Sequence, residues 1–479
     1  MEPRILDPAP VATLADYVDA GGGRGLDAAR KLGPLAIIDH VEASGLRGRG
    51  GAGFSTGRKW RTVAENLSAL IPPTVVVNAA EGEPGTFKDR AILRRNPYKV
   101  LEGALAAAVA IGADRVVLAL KASFSTELQR VREAIGEVRS AGWTDGAAFD
   151  VVEGPSHYLY GEETALLEVV AGRQPFPRLA PPFRHGVDVV GDVSTVADVT
   201  MAGPGDATPA PPTLVNNVET LANVAGILAE GPDWYRSVGT AESPGTIVCT
   251  VTGRTRRHGV AEFPMGTPLR QVVDEIGGGT APGERVVAVM SGVANPLLPA
   301  SLLDTAVSYE AMQAAGAGLG SAGFIVFDDT TDLVAVAHGV SRFLAVESCG
   351  QCTPCKQDGR TLADRLDRLR RSEGDEHDLA EVQDRLRSVI IGARCYLASQ
   401  HQLVVESILE LFPDQVRAHA RRELDAADVE LIAPILDLGE GRAVLDEAHL
   451  AKQPDWTFDA PDSGQAPADR MDQRRSDPV

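Results

Sequence analysis

Apolar residues follow two alternating rhythms through the first half of this chain. Short runs such as Pro73–Asn78 (PTVVVN) and Arg115–Leu120 (RVVLAL) are almost unbroken in Val, Leu and Ala, the texture of strands buried on both faces. Between and after them lie longer stretches, Tyr98–Gly112 and Ser125–Ser140, with apolar residues at helical spacing. A further strand is predicted near Phe149–Glu153. Strands alternating with helices predict an α/β domain built on a parallel sheet. Ahead of it, residues 1–45 read as helical, with the period clearest over Leu32–Ala43 and a stop at Ser44-Gly45.

The texture changes twice more. Residues 173–213 are rich in Pro and Gly and read as a long, partly ordered excursion. From about 241 to 330 short strands are predicted at Gly245–Gly253, Val286–Ser291 and Gly323–Phe327, with a helix at Leu269–Gly277, giving a small α+β domain. Residues 331–437 carry Leu, Ile and Val at helical spacing, a stripe that core packing alone explains. The remaining 438–479 are polar and rich in Asp, Pro and Gln, predicting a disordered tail. The expected division is therefore 1–240, 241–330, 331–437 and a tail, in keeping with what 479 residues can fold.

A net charge of −20 argues against nucleic acid and anionic membrane surfaces, and fits a basic partner or merely a well-solvated exterior. No apolar run is long enough to span a bilayer, and no secretory leader is evident at Met1-Glu-Pro-Arg4. Any membrane association is expected to run through partner subunits. Few cysteines, most at ligand spacing, point to a reducing, cytoplasmic setting.

Those cysteines carry the sharpest chemical signal. Cys349-Gly-Gln-Cys352-Thr-Pro-Cys355 is a C-x2-C-x2-C turn, answered by Cys395 beyond a charged helical segment. Such a turn curls three sulfurs toward one centre, and a remote thiolate supplies the fourth corner of a [4Fe–4S] cubane. The alternative is a four-thiolate zinc site, although zinc prefers two paired knuckles to a triple and a singleton. Cys249 lies in a predicted strand and reads as a small buried apolar residue.

A second signal is glycine density. Gly48-x-Gly50-x-x-Gly53 meets the spacing of a dinucleotide turn, but a helix rather than a strand precedes it. With Gly51 the loop is nearly free of side chains, so its backbone N–H groups can approach a flat or anionic ligand. Arg47, Arg49, Arg58 and Lys59 add charge suited to phosphate. The competing reading is a flexible loop. Glu81 and Glu83 follow the first strand, where α/β proteins bind ligands; they suit ribose hydroxyls or simply a solvated turn. Glu162 and Glu163 follow Gly161 at a predicted helix start, where acids also complement the dipole. Asn216 and Asn217 fit a heterocycle edge or an Asx turn.

Five motifs in order, SGLRGRGGAGFSTGRKW (44–60), EGEPGTFKDR (81–90), YGEETALLE (160–168), PTLVNNVET (212–220) and ESCGQCTPC (347–355), closely resemble the NADH-binding flavoprotein subunit of respiratory complex I and of related hydrogenase and formate dehydrogenase modules. The resemblance covers about residues 25–437. It implies a Rossmann-like FMN domain, a ubiquitin-like β-grasp domain and a helical bundle carrying one [4Fe–4S] cluster on Cys349, Cys352, Cys355 and Cys395. By the same resemblance, Gly48, Arg49, Gly50, Gly51 and Gly53 would contact nucleotide and flavin, with Lys59 on FMN. Asn78, Gly161, Glu162, Asn216 and Asn217 match flavin positions, and Phe54, Glu83, Tyr158, Glu163 and Phe183 match NADH positions. Leu397 and Ala398 would lie between cluster and flavin.

The chain departs from that pattern at Ala80 (usually Asp), Ala180 (usually Lys), Thr62 (usually aromatic), Tyr160 (usually Cys), Tyr396 (usually small or Pro) and Ser399 (usually Asp). The expected activity is electron input: hydride from NADH to FMN, then single electrons to the cluster and on to an iron–sulfur or ferredoxin-like partner or a quinone-reducing complex. The alternative is a relay or assembly subunit that keeps the cluster, no longer binds NADH and draws electrons from a ferredoxin-like partner.

Overall fold

Residue alternation along the buried strands decides which helix layer each side chain meets. In the computed structural model, which describes residues 3–67, 71–187 and 212–452, the first sheet comprises β1 (Thr74–Ala79), β2 (Arg115–Lys121), β3 (Ala148–Gly154) and β4 (Thr213–Asn217). All pairings are parallel and the spatial order is β3-β2-β1-β4. Val75, Val77, Val116, Leu118 and Leu120 face the helices Pro97–Ile111 and Val218–Glu230. The intervening Val76, Val117, Ala119 and Val215 face the other layer, where Leu166 and Leu167 of the helix Glu163–Val170 cover them. Period-2 alternation thus places an apolar residue on both faces at once.

The second sheet is mixed, with order β6-β5-β9-β7-β8 for β5 (Thr246–Gly253), β6 (Gly259–Pro264), β7 (Val286–Ser291), β8 (Leu298–Pro299) and β9 (Gly323–Asp328). A parallel β5–β9 pair flanked by antiparallel neighbours, with the helix Leu269–Gly277 packed on it, gives the β-grasp architecture. Strands β6 and β8 were not expected: β6 lies at the sheet edge, half-buried along most of its length, and β8 is two residues long.

Five helices follow, Leu333–Glu347, Thr353–Arg370, Glu376–Ser388, Leu397–Leu411 and Pro413–Ala420, sharing one apolar core. The predicted helical character stops there, and residues 421–434 have no regular helix or strand.

The tail expected to be disordered from 438 needs correction over its first part. A hairpin, β10 (Ile435–Gly439) and β11 (Arg442–Leu445), is held by Arg94 to Asp437 at 2.7 Å and by the Ala443 N–H to His258 Nδ1 at 3.0 Å. Lys452 then enters the interior and donates to Glu347 Oε1 at 2.6 Å. Polar composition predicted no core for this segment, but buried partners elsewhere supply its anchorage. The expectation for 453–479, and that for the excursion over 188–211, lie outside the described residues.

Candidate cofactor and cluster site

The glycine loop runs from the end of the helix Pro34–Ser44 to the start of Thr56–Glu65 and is tied at its base. Arg47 bridges Ser55, the Gly48 N–H donates to Phe54 O at 2.8 Å, and the Arg47 guanidinium lies 4.1 Å from the Tyr309 ring. The Tyr309 hydroxyl in turn donates to Gly48 O at 2.7 Å. Gly53 adopts φ +62°, and a Cβ there would lie 2.4 Å from the Tyr309 ring. These ties exclude the flexible-loop reading, and only glycine suits position 53.

Around this loop lie two adjoining cavities of about 610 and 510 Å³. Gly50, Asn78, Gly161 and Asn217 border both. The larger is walled by Gly51, Glu81, Glu83, Tyr158, Glu162 and Leu397 among the expected residues. The smaller is walled by Gly48, Gly53, Phe54, Lys59, Glu163, Phe183 and Asn216. Residues separated by more than three hundred positions therefore meet around one hollow.

Three helices start at its edge, each with a side chain satisfying its free N–H groups. Glu81 accepts from the N–H groups of Asp89 and Arg90 at 3.1 and 3.3 Å, Glu162 from Thr164 and Ala165 at 3.0 and 2.8 Å, and Asn217 from Glu219 and Thr220 at 2.9 and 3.4 Å. The capping alternatives for Glu162 and Asn217 thus hold without removing either residue from the cavity wall. Because these N–H groups are already met, two of the three by acids, the positive ends of the helices are largely offset within the protein. Asn78 donates to Gly161 O at 2.8 Å, Asn216 Oδ1 accepts from the Trp60 indole at 2.7 Å, and Lys59 pairs with Glu163. The Thr56 hydroxyl is buried on the smaller cavity with no protein partner, which suits a polar ligand.

Burial raises Glu83 to about 7, against its hydrogen bonds from Tyr158 and the Val293 N–H. It also raises Glu81, helped by the neighbouring Asp89 charge. Carboxyls held part-protonated at neutral pH repel an anionic ligand less than ordinary acids would.

Arg49 is a correction. Its side chain is not in the cavity but in the seam between the two sheets, where one terminal nitrogen donates to the Tyr235 hydroxyl, Pro244 O and Thr246 O at 2.9, 3.2 and 3.1 Å. Lys88 beside it donates to Arg49 O at 2.6 Å and pairs with Glu219. Positive charge within a glycine loop suggested phosphate; the available acceptors lay on the opposite side.

Cys349, Cys352, Cys355 and Cys395 line one small cavity closed by Leu159, Pro177, Leu397 and Ala398. Cys352 occupies the position before the helix Thr353–Arg370 without a side-chain cap bond and Cys355 sits in its first turn, while Cys395 lies two residues before the start of Leu397–Leu411. Four sulfurs, three from one C-x2-C-x2-C turn and one remote, ring this cavity, the ligand pattern of a cubane rather than of paired zinc knuckles. Gln351 Nε2 lies 3.5 Å from Cys349 Sγ and Ser348 Oγ 3.3 Å from Cys355 Sγ, contacts of the kind that tune a cluster. Burial pushes the Cys355 thiol up to about 11 and Cys395 to about 12, so metal binding must displace their protons.

Sequence reading missed one whole wall. Gly318–Ser321, Asn295 and Gln313 from the β-grasp domain face the larger cavity, as does Gln400 from the bundle. A signal was present: Gly318-x-Gly320-x-x-Gly323 repeats the spacing of Gly48-x-Gly50-x-x-Gly53.

Comparison with known proteins agrees with this construction. The Nuo51 FMN-binding domain model matches residues 41–226, and the NADH-ubiquinone oxidoreductase-F iron-sulfur binding region matches residues 335–419. The second NADH-quinone oxidoreductase F subunit of Rhizobium meliloti (strain 1021) is 36% identical over 85% of this chain and 94% of its own length. The corresponding F subunit of Mycobacterium tuberculosis (strain ATCC 25618 / H37Rv) is 35% identical over 89% of this chain and 95% of its own. A chain of an NAD+-reducing [NiFe]-hydrogenase in the H2-reduced state superposes with a TM-score of 0.73 at 32% identity, covering 88% of this chain and 68% of the other. With a glycine-walled hollow beside a four-cysteine cage, and relatives matched over nearly their full lengths, the chain belongs to the family of NADH-quinone oxidoreductase F subunits.

Proposed function

We propose that this chain is the NADH-oxidising electron-input component of a larger redox assembly, with FMN and NADH held in the paired cavities and one [4Fe–4S] cluster on Cys349, Cys352, Cys355 and Cys395. The observation that carries this reading is continuity. Leu159, Cys395 and Leu397 border both the larger cavity and the cysteine cage, so a ligand on the glycine loop has the cluster for a direct neighbour.

FMN, when bound, supplies the chemistry: it accepts two electrons from NADH and releases them one at a time. The protein holds and orients. Gly48–Gly53 give a wall without side chains, Lys59 would meet phosphate, and Asn78, Asn216 and Asn217 would offer amide groups to a ring edge. Phe54, which is largely exposed, and Phe183 offer aromatic faces to a base. Glu83, Tyr158 and Glu163 would meet the nucleotide, and Leu397 and Ala398, which line the cysteine cage, would exclude water between flavin and cluster. Among the described residues no helix is long and apolar enough to cross a membrane. A cytoplasmic site of action, with redox partner subunits taking the electrons, completes the reading.

A relay component without NADH oxidation is favoured by one group of residues. Ala80 is fully buried and packs in one cluster with Tyr160, and the Thr62 hydroxyl is spent on Arg58 O at 2.9 Å. An anaerobic NADH titration followed optically and by electron spin resonance separates the two. Flavin bleaching with appearance of a reduced-cluster signal supports NADH oxidation; a cluster reducible by dithionite but silent to NADH supports the relay.

A further inference from the structure

Three parts of the fold meet at the Tyr158 hydroxyl. It donates to Glu83 Oε2 at 2.5 Å, and Gln400 Nε2 donates to it at 2.8 Å. The other Glu83 oxygen accepts from the Val293 N–H at 2.6 Å. Glu83 comes from the turn after β1, Val293 from the turn after β7, and Gln400 from the helix that follows Cys395. The rest of Tyr158 is fixed: its N–H donates to Glu347 Oε2 at 2.9 Å, and its ring packs edge-on to Phe343 at 5.2 Å between centroids.

With Glu83 ionised the chain of donors has one polarity: the phenol proton goes to the carboxylate, the phenol oxygen accepts, and Gln400 presents its NH2 to it. Gln400 is 7% exposed and lines the larger cavity, and its Oε1 has no hydrogen-bond partner. A buried amide held at one end and unmet at the other serves orientation at the cost of an unpaired acceptor.

We propose that Gln400 is a positioning residue of the NADH site, holding Tyr158 on Glu83 so that the carboxylate is fixed for the nucleotide. The inference rests on the NADH reading above and adds to it a residue contributed by the cluster-bearing helix. A charge-neutral donor suits this post: a carboxylate there would compete for the phenol proton, and an apolar group would let the phenol turn away.

The test is a double-substitution cycle on the purified, flavin- and cluster-loaded protein. NAD+ affinity is measured by calorimetry on the oxidised protein, and NADH KM and kcat with ferricyanide, for the parent, Gln400→Leu, Tyr158→Phe and the pair. The near-isosteric Gln400→Glu is a second single variant, and flavin content and the cluster spin signal verify folding. Expected are an approximately tenfold weakening of NAD+ binding in both Gln400 variants, a KM effect larger than the kcat effect, and no further loss when Gln400→Leu is added to Tyr158→Phe. Unchanged affinity in both Gln400 variants, or losses that add in the double variant, overturns the proposal. A parent protein that binds neither NAD+ nor NADH overturns the NADH reading, and the proposal with it.

Discussion

Lys452 Nζ lies 2.6 Å from Glu347 Oε1, two side chains 105 positions apart and both almost wholly removed from solvent. Glu347 also accepts from His449 at 3.0 Å and from the Tyr158 N–H at 2.9 Å, and its carboxyl is held well below the usual range against the pull of burial. Glu347 stands two residues before the first cluster cysteine. The C-terminal segment is thus fastened to the base of the cluster loop. Replacing Lys452 by Met leaves a buried carboxylate short of its main counter-charge and is expected to cost about 3–5 kcal/mol. Urea unfolding of parent and variant, read as a shift in midpoint at unchanged slope, measures it.

Cys395→Ala is expected to abolish the cluster, with iron and the visible iron–sulfur absorbance lost together. Cys249→Ala, in a buried strand position remote from the cage, keeps both. Metal analysis that finds zinc in the parent instead of iron would contradict the cubane assignment.

Gly50 divides the two cavities, and a Cβ there meets Asn217 Cβ at 3.4 Å, a tolerable contact. The Gly50→Val variant should therefore fold and keep its iron, while its branched side chain occupies ligand space. Flavin released on denaturation should fall at least about tenfold relative to the parent.

The Arg49→Met variant tests the seam. Loss of its donors strands the Tyr235 hydroxyl and two carbonyls in the interior, and about 2–3 kcal/mol of stability is expected to go. Flavin content per folded chain stays at the parent value, since the side chain points away from the hollow. A variant that is stable but flavin-free would restore the phosphate role.

Glu83 also gives the fold a pH signature. Its carboxyl rises on folding from 4.5 to about 7, so between those values the folded chain holds more proton than the unfolded one. Stability from this group is therefore greatest below pH 4.5, falls as pH rises through 7, and then levels off. Relative to Glu83→Gln, the parent should lose about 1–2 kcal/mol across that window, its partial exposure reducing the effect. Thermal midpoints of both proteins from pH 5 to 8, without nucleotide, give the difference.

Several features of the fold were readable in advance because a single local cause produced them. Strands β1 and β2 announced themselves because both faces are covered, leaving no place for a polar interruption before Asn78. The four cysteines were readable because sulfur at that spacing has few other uses. Strand β6 was not: an edge strand with one wet side blurs its alternation. Nor was the hairpin at 435–445, whose anchors Arg94 and His258 lie far away in sequence. Arg49 illustrates a third kind of gap, in which the charge was visible but the direction of its side chain depended on acceptors at Pro244 and Thr246. Gln400 carried no motif at all, and only the meeting of three domains gives it a task.

Because Glu83, Val293 and Gln400 must all arrive before the hollow is enclosed, the order of synthesis constrains when it can be filled. A growing chain halted within the second sheet owns the glycine loop but lacks the far wall, and one halted after Cys355 still lacks Cys395. Fragments ending before Cys395 therefore leave the ribosome with both berths unfinished, the cage short of its fourth sulfur and the hollow short of Leu397 and Gln400.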